Sequence, residues 1–263
     1  MTPDITSPTN ERIKAVVRLR DRAERDRTGL TIIDGAREID RALDAGISVD
    51  AAFVCEPLLR TSEARAVVDR LLAVTVTTSE PAYRKIAFGD RDDGIVAVVR
   101  QPPHGLKDVK LAVDPLIVVL EGVEKPGNLG AVLRTADAVG VDALIAAGPR
   151  TDLFNPNAIR ASMGTVFSVP VASAPASDVL AVLRKRRIRV VAARTDARLD
   201  YTDVDLTGAL AIALGSEAQG LTHAWTGDDI TPVRVPMFGI ADSLNVSITA
   251  AVLLYEAHRQ RRA

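Results

Sequence analysis

Leu116–Gly140 reads LIVVLEGVEKPGNLGAVLRTADAVG, and its interpretation decides the fold. Ile117–Leu120 is an unbroken apolar run bounded by turn residues, the pattern of a parallel strand covered on both faces. A polar loop follows, carrying Pro126, Gly127, Asn128, Leu129 and Gly130. Beyond it Leu129, Val132, Leu133, Ala136 and Val139 recur at three- and four-residue steps, which predicts a helix stopped by Gly140. Asn128 stands where an N-cap would stand. Arg134 breaks the apolar economy of that helix, projecting a long cation over Gly130, Ala131, Thr135 and Ala138.

Outward from this unit the α/β alternation continues in both directions. On the N-terminal side, residues 1–10 read as a flexible arm and Glu11–Arg27 as one charge-dense helix. Its inner face is Ile13, Val16, Val17 and Leu19. Strands are expected at Leu30–Ile33, Val49–Val54, Val74–Thr77 and Ile95–Arg100. Helices are expected at Gly35–Ala45, Thr61–Leu72 and Ser79–Ile86, the last capped by Ser79. Gln101–Gly105 reads as a linker. On the C-terminal side, strands are expected at Ala143–Ala146, Val166–Val171, Arg189–Ala193, Leu210–Leu214 and Val233–Pro236. Helices are expected at Asn157–Met163, Ala176–Arg187 and Leu244–Arg262. The division is then 1–10 arm, 11–105 small α/β domain and 106–263 large α/β domain.

Composition narrows the function. The chain of 263 residues is 47% hydrophobic, ample for a core, and only 3% aromatic. A net charge of −1 gives no global nucleic-acid signal, so a basic face must be sought locally. The single cysteine, Cys55, excludes an internal disulfide and fits a reducing compartment. The first residues lack the apolar region of a signal peptide, and no apolar run nears the ~20 residues of a membrane span. These features predict a cytoplasmic protein with no membrane partner.

The common chemical devices are missing. Neither a dinucleotide fingerprint nor a phosphate-binding P-loop occurs. His104, His223 and His258 lie far apart, without metal-ligand spacing, so no metal is expected. What remains are three loops at strand ends, where open α/β sheets place their ligand crevices. The first offers Asn128 and Arg134. The second, after Leu210–Leu214, offers Gly215, Ser216, Glu217 and Gly220. The third offers Gly239, Asp242, Ser243, Leu244 and Asn245 ahead of a helix, where Ser243 is either an N-cap or a ligand-facing residue. Together they suggest one crevice with backbone donors, a carboxylate and an arginine.

NLGAVLRTADAVG (128–140), LGSEAQGL (214–221) and VPMFGIADSLNVSITAAVLLYE (235–256) resemble, in order, the three motifs of the SpoU (TrmH-type) branch of the SPOUT RNA methyltransferases. NAIRASMGTVFSVPV (157–171) resembles the same family between its first two motifs. The likeness covers about residues 115–258. Ala218–Gln219 departs from the usual glycine-containing second motif. More faintly, the N-terminal part resembles the L30e-like substrate-binding domain of rRNA-modifying members.

The resemblance implies a deep trefoil knot in the C-terminal domain. It implies a homodimer whose active site uses both chains, and S-adenosylmethionine as cofactor. It implies methyl transfer to a ribose 2′-hydroxyl of RNA, with one 23S rRNA nucleotide as the expected target. Some relatives confer antibiotic resistance. Alternatives are a tRNA 2′-O-methyltransferase, an inactive RNA- or ribosome-binding protein, and a methyltransferase for small molecules or proteins. By motif position, Arg134, Asn128, Glu217, Ser243 and Asn245 would form the catalytic group. Thr195, Leu214, Gly215, Val235, Met237 and Leu244 would contact the cofactor. Arg18, Arg22, Arg37 and Arg160 would contact RNA, because guanidinium forks suit phosphate oxygens.

Overall fold

The structure, a computed structural model, describes residues 3–88, 93–148, 150–216 and 219–262. In chain order the elements are α1 (Glu11–Arg18), α2 (Arg22–Thr28), β1 (Leu30–Asp34), α3 (Ala36–Asp44), β2 (Val49–Val54), α4 (Ser62–Arg70), β3 (Thr75–Thr77), α5 (Glu80–Ile86) and β4 (Ile95–Arg100). Then come β5 (Leu116–Glu121), α6 (Pro126–Val139), β6 (Ala143–Ala147), α7 (Pro156–Ala161), β7 (Val171–Ala174), α8 (Ala176–Lys185), β8 (Arg189–Ala193), β9 (Leu199–Asp200), β10 (Leu210–Leu214), β11 (Ile230–Arg234) and α9 (Val246–Arg262). They form two compact units, Met1–Pro102 with Phe154–Ser168, and Pro103–Leu153 with Val169–Ala263.

The first unit is a four-stranded sheet in the order β1-β4-β2-β3, with only β2 and β3 parallel. Ile13, Val16, Ile32, Phe53, Tyr83 and Val96 share its core. The expected single helix Glu11–Arg27 is in fact two. Asp21 caps the second by accepting from the Ala23 amide at 3.1 Å. The corner exposes carbonyls that Arg25 satisfies: its Nη1 donates to Leu19 O at 2.9 Å and Arg20 O at 2.8 Å, and its side chain is buried. Arg20 is likewise structural, donating to the carbonyls of Lys85, Ile86 and Ala87 at the end of α5.

Nor are residues 4–6 a free arm. Ile5 is buried, its amide donates to Thr77 O at 3.1 Å, and Ser79 N returns a bond to Ile5 O. Ser79 does not cap α5 with its side chain; the hydroxyl donates to Thr6 O. The inserted segment 154–168 belongs to this unit. Thr31 Oγ1 donates to Phe154 O at 2.9 Å and Arg41 Nη1 to Met163 O at 2.6 Å. Val166–Val171 is no continuous strand: residues 165–167 make a 3₁₀ turn after Gly164, whose φ is +82°, and β7 begins only at Val171.

The second unit holds a seven-stranded sheet in the order β7-β6-β5-β10-β8-β11-β9, parallel at every pairing. β5, β6 and β10 are buried at every residue, as strands covered on both faces must be. Two caps differ from expectation. α6 starts at Pro126, whose missing N–H costs nothing in a first turn, so Asn128 lies inside the helix. α9 is capped by Asn245 rather than Ser243. Asn245 Oδ1 accepts from Ser247 N at 2.8 Å, and its carbonyl accepts from the amides of Ile248 and Thr249. At the far end of α9, Arg261 ties the helix to the sheet through the carbonyls of Asp114, Pro115 and Gly208.

Candidate active site

Three neighbouring parallel strands, β10, β8 and β11, end on the same side of the second sheet, and a cavity of about 430 Å³ opens there. Such strand ends are where the fold leaves room for a ligand. Thr195 follows β8, Leu214 and Gly215 close β10, Val235 and Met237 follow β11, and Leu244 precedes α9. All six residues anticipated as cofactor contacts line this one cavity, with Ser243 beside them. Val246 and Leu253 of α9 add apolar wall.

Gly215 is required here for space. A Cβ on it would stand 2.0 Å from Gly220 C and 2.2 Å from Gly220 O and Leu221 N. The loop is pinched shut at that point, with Gly220 N donating to Ser216 O at 2.9 Å. Glu217, the anticipated carboxylate, lies outside the described residues.

The ionisable groups on the cavity rim are mostly paired. Arg194 forks onto Asp196 at 3.0 and 3.1 Å, which holds the Asp196 carboxyl below its usual range and raises the guanidinium. Arg234 Nε donates to Asp200 at 2.7 Å. Ser216 and Asp242, anticipated as crevice residues, line the cavity too, whereas sequence reasoning missed Arg194, Asp196 and Gln219. The available signal was position alone: each sits within a few residues of a strand end or of an anticipated contact.

Asn128 and Asn245 come together although 117 positions separate them; Asn245 Nδ2 donates to Asn128 Oδ1 at 3.2 Å, joining α6 to α9. Arg134 is exposed on α6, its side chain makes no hydrogen bond or ion pair among the described residues, and it does not line the cavity. In the first unit, Arg18 is exposed and Arg22 half-buried, and they face Glu24 at 3.7 Å and Asp26 at 3.5 Å. Arg37 reaches Met163 Sδ at 3.9 Å. Arg160 turns inward, 3.8 Å from the carboxylate of Asp34, whose side chain is wholly buried. Among the described residues no cluster of His, Cys, Asp and Glu is arranged to hold a metal.

The sequence matches the family model of SpoU rRNA methylases over residues 115–255, and that of an MRM3-like substrate-binding domain over residues 10–97. The chain belongs to the SpoU rRNA methylase family. Among SpoU relatives, a 23S rRNA (uridine(2479)-2′-O)-methyltransferase of Streptomyces viridochromogenes is 33% identical over 256 residues, spanning 92% of this chain and 87% of the relative. The 23S rRNA (guanosine(2553)-2′-O)-methyltransferase RlmP of Bacillus subtilis strain 168 is 27% identical, spanning 95% and 97%. Of solved structures, an RNA 2′-O ribose methyltransferase is 44% identical with a TM-score of 0.86, over 98% of this chain and 99% of that one. The SpoU methyltransferase AviRb of S. viridochromogenes, in complex with the cofactor AdoMet, is 30% identical with a TM-score of 0.87, over 97% and 99%.

Proposed function

We propose that this protein transfers a methyl group from S-adenosylmethionine to the ribose 2′-hydroxyl of one 23S rRNA nucleotide. The observation that carries the reading is the convergence of all six family-matched positions on one cavity at the ends of β8, β10 and β11. Its volume suits a nucleoside-sized ligand, and its walls are aliphatic side chains and loop backbone. Thr195, Leu214, Gly215, Val235, Met237 and Leu244 would hold the cofactor. S-adenosylmethionine, when bound, supplies an electrophilic methyl group on a sulfonium.

The chain's own residues must bring the hydroxyl in line and accommodate the charge that grows on its oxygen. Arg134 is the cation for that task. A guanidinium is effectively always protonated, so it acts by clamping the adjacent phosphate and stabilising the developing alkoxide. The Asn128–Asn245 pair fixes the start of α9 beside α6, and Ser243 and Glu217 complete the substrate wall.

We place the active site across a homodimer. Arg134 does not line the cavity of its own chain, so a second copy would bring the missing cation. Exposed apolar residues give such a copy a surface: Phe238 and Ile240 in the loop before α9, and Ile248 and Tyr255 on α9. A trefoil knot in the second unit and an L30e-like fold for the first complete the proposal. RNA would be gripped by Arg18, Arg22 and Arg37. The surface ion pairs of Arg18 and Arg22 contribute little to stability and exchange readily for phosphate. Arg160 is better placed as the counter-charge of Asp34. No described helix is long and apolar enough to cross a membrane, and work on ribosomal RNA would put the protein in the cytoplasm.

The test is tritium transfer from labelled S-adenosylmethionine to 23S, 16S and tRNA fractions, with the product mapped by reverse-transcription stops at low nucleotide concentration. One stop in 23S rRNA is the expected result. Label in tRNA alone would make this a tRNA enzyme. Cofactor binding without transfer to RNA or to assembled subunits would leave an inactive binding protein.

A further inference from the structure

We propose that Glu121 is a positioning residue that holds Gly220 and Leu221, which line the cofactor cavity, in register with the sheet. Glu121 is the last residue of β5, and it is 9% exposed. Its two carboxylate oxygens fork onto a single residue 101 positions away: Oε2 accepts from Thr222 N at 2.7 Å and Oε1 from Thr222 Oγ1 at 2.9 Å. Thr222 is the first residue after the loop. β5 and β10 are hydrogen-bonded neighbours, with Leu120 opposite Leu214, so the loop leaves the sheet beside Glu121. Gly122, at φ +67°, brings the β5 end to 3.5 Å from Ser216 Cβ at the other end of the loop, measured from where its own Cβ would stand.

A carboxylate is costly to remove from water unless its oxygens are hydrogen-bonded. This one is spent where the loop that carries the cavity-lining residues Gly215, Ser216, Gln219, Gly220 and Leu221 returns to the core. Ordinary loop anchoring would be served by a backbone bond or an apolar contact. The fork fixes both the height and the rotation of Thr222, and therefore of Gly220 and Leu221, which press on Gly215. The role depends on two acceptor–donor contacts and not on charge. Glutamine can reproduce both, its Oε1 accepting the amide and its Nε2 donating to the threonine hydroxyl.

The inference rests on the reading of the cavity as the S-adenosylmethionine site. The experiment compares wild type with Glu121→Ala, Glu121→Gln and Thr222→Val on the full-length protein. Calorimetry gives cofactor affinity, hydrogen exchange of the ligand-free protein reports the Thr222 amide, and steady-state kinetics separate kcat from the KM for RNA. Glu121→Ala should weaken cofactor binding about 30-fold, as expected for losing two hydrogen bonds, and Thr222→Val about 5-fold. Both should speed exchange at Thr222, lower kcat at saturating cofactor, and leave the KM for RNA within about twofold of wild type, because cofactor geometry and not RNA grip is disturbed. Glu121→Gln should restore affinity to within about threefold, since it keeps both contacts.

Cofactor affinity unchanged in Glu121→Ala, or a loss in Glu121→Gln as large as in alanine, overturns the proposal. If the alanine variant does not fold, the Gln and Val variants decide it: Val weakened with Gln near wild type supports the fork, and equal behaviour of the two overturns it. Wild type that fails to bind the cofactor overturns the cavity reading itself, and this inference with it.

Discussion

Replacing Gly215 by alanine adds one methyl group where the structure has no room for one. The new Cβ would meet Gly220 C at 2.0 Å and Leu221 N at 2.2 Å. Carbon atoms at van der Waals contact lie about 3.5–4.0 Å apart, so the backbones must part by about 1.5 Å. The colliding atoms are main chain and have no rotamer to escape into. Overpacking of this kind costs about 1–3 kcal/mol, and a backbone clash belongs at the upper end. The weakest contact that relieves it is the Gly220 N to Ser216 O hydrogen bond at 2.9 Å, worth about 1 kcal/mol. The loop should therefore open at its neck while the sheet stays folded.

Opening displaces the wall formed by Gly215, Gly220 and Leu221. If about 3 kcal/mol must be recovered from the ligand to close it again, the Kd for S-adenosylmethionine rises about 100-fold. Were the strain borne by the fold instead, the melting temperature would drop about 6–12 °C. Calorimetric titration with far-UV circular dichroism as a folding check separates the two. Gly127→Ala is the control: it lies in α6, nothing stands within 4 Å of its Cβ position, and it should bind cofactor as wild type does. A folded Gly215→Ala protein that binds S-adenosylmethionine within about threefold of wild type would refute the steric account, because a 100-fold expectation leaves no such margin.

Arg134→Ala should reduce methyl transfer by about 10²–10³-fold with cofactor affinity unchanged; a collapse of affinity in calorimetry would move Arg134 into the cavity. Mixing Arg134→Ala with Gly215→Ala protein should restore about a quarter of wild-type activity through two-fold symmetric heterodimers carrying one intact composite site, whereas a site contained within one chain would recover nothing. Glu256 is held at about 2, below the ordinary 4.5, chiefly by the Arg259 hydrogen bond and then by Gln260. The stability it gives is full above pH 4.5 and lost as pH falls toward 2, so the melting-temperature gap between wild type and Glu256→Leu should narrow over that range; a constant gap counts against the pairing. Deleting residues 1–102 should uncover Phe154, Ile159 and Val166, all buried within the first unit, giving a chain that binds a hydrophobic dye and aggregates; a soluble, dye-silent product would contradict that packing.

What was legible in the amino-acid sequence was whatever a local pattern determines. Val49–Val54, Ile95–Arg100, Arg189–Ala193 and Leu210–Leu214 emerge with the expected bounds because apolar runs between turn residues have few other ways to be buried. Patterns that several structures satisfy were read less well. Val166–Val171 is rich in β-branched residues, yet Gly164 starts a 3₁₀ turn that segment 154–168 uses to pack in the first unit. Ser243 and Asn245 have equivalent capping chemistry, and only the backbone decides that Asn245 is used. Glu11–Arg27 looked continuous because nothing local shows that Arg25 will turn back onto the carbonyls of Leu19 and Arg20.

The same division runs through the site. Glycines and small polar residues just past strand ends announce a crevice, and the resemblance to the SpoU motifs assigned six positions that line it. Which charges remain for chemistry is a different matter. Arg194 lines the cavity but is spent on Asp196, and Arg160 is tied to Asp34. Arg134 stands without such a partner among the described residues, and Glu121, at the end of an apolar strand, is held by a threonine 101 positions away. A sequence shows where a carboxylate or guanidinium sits; only its partner shows whether it is free to act. Those partners are set by the order of strands in the second sheet, where β10 inserts between β5 and β8, and no local pattern encodes that insertion.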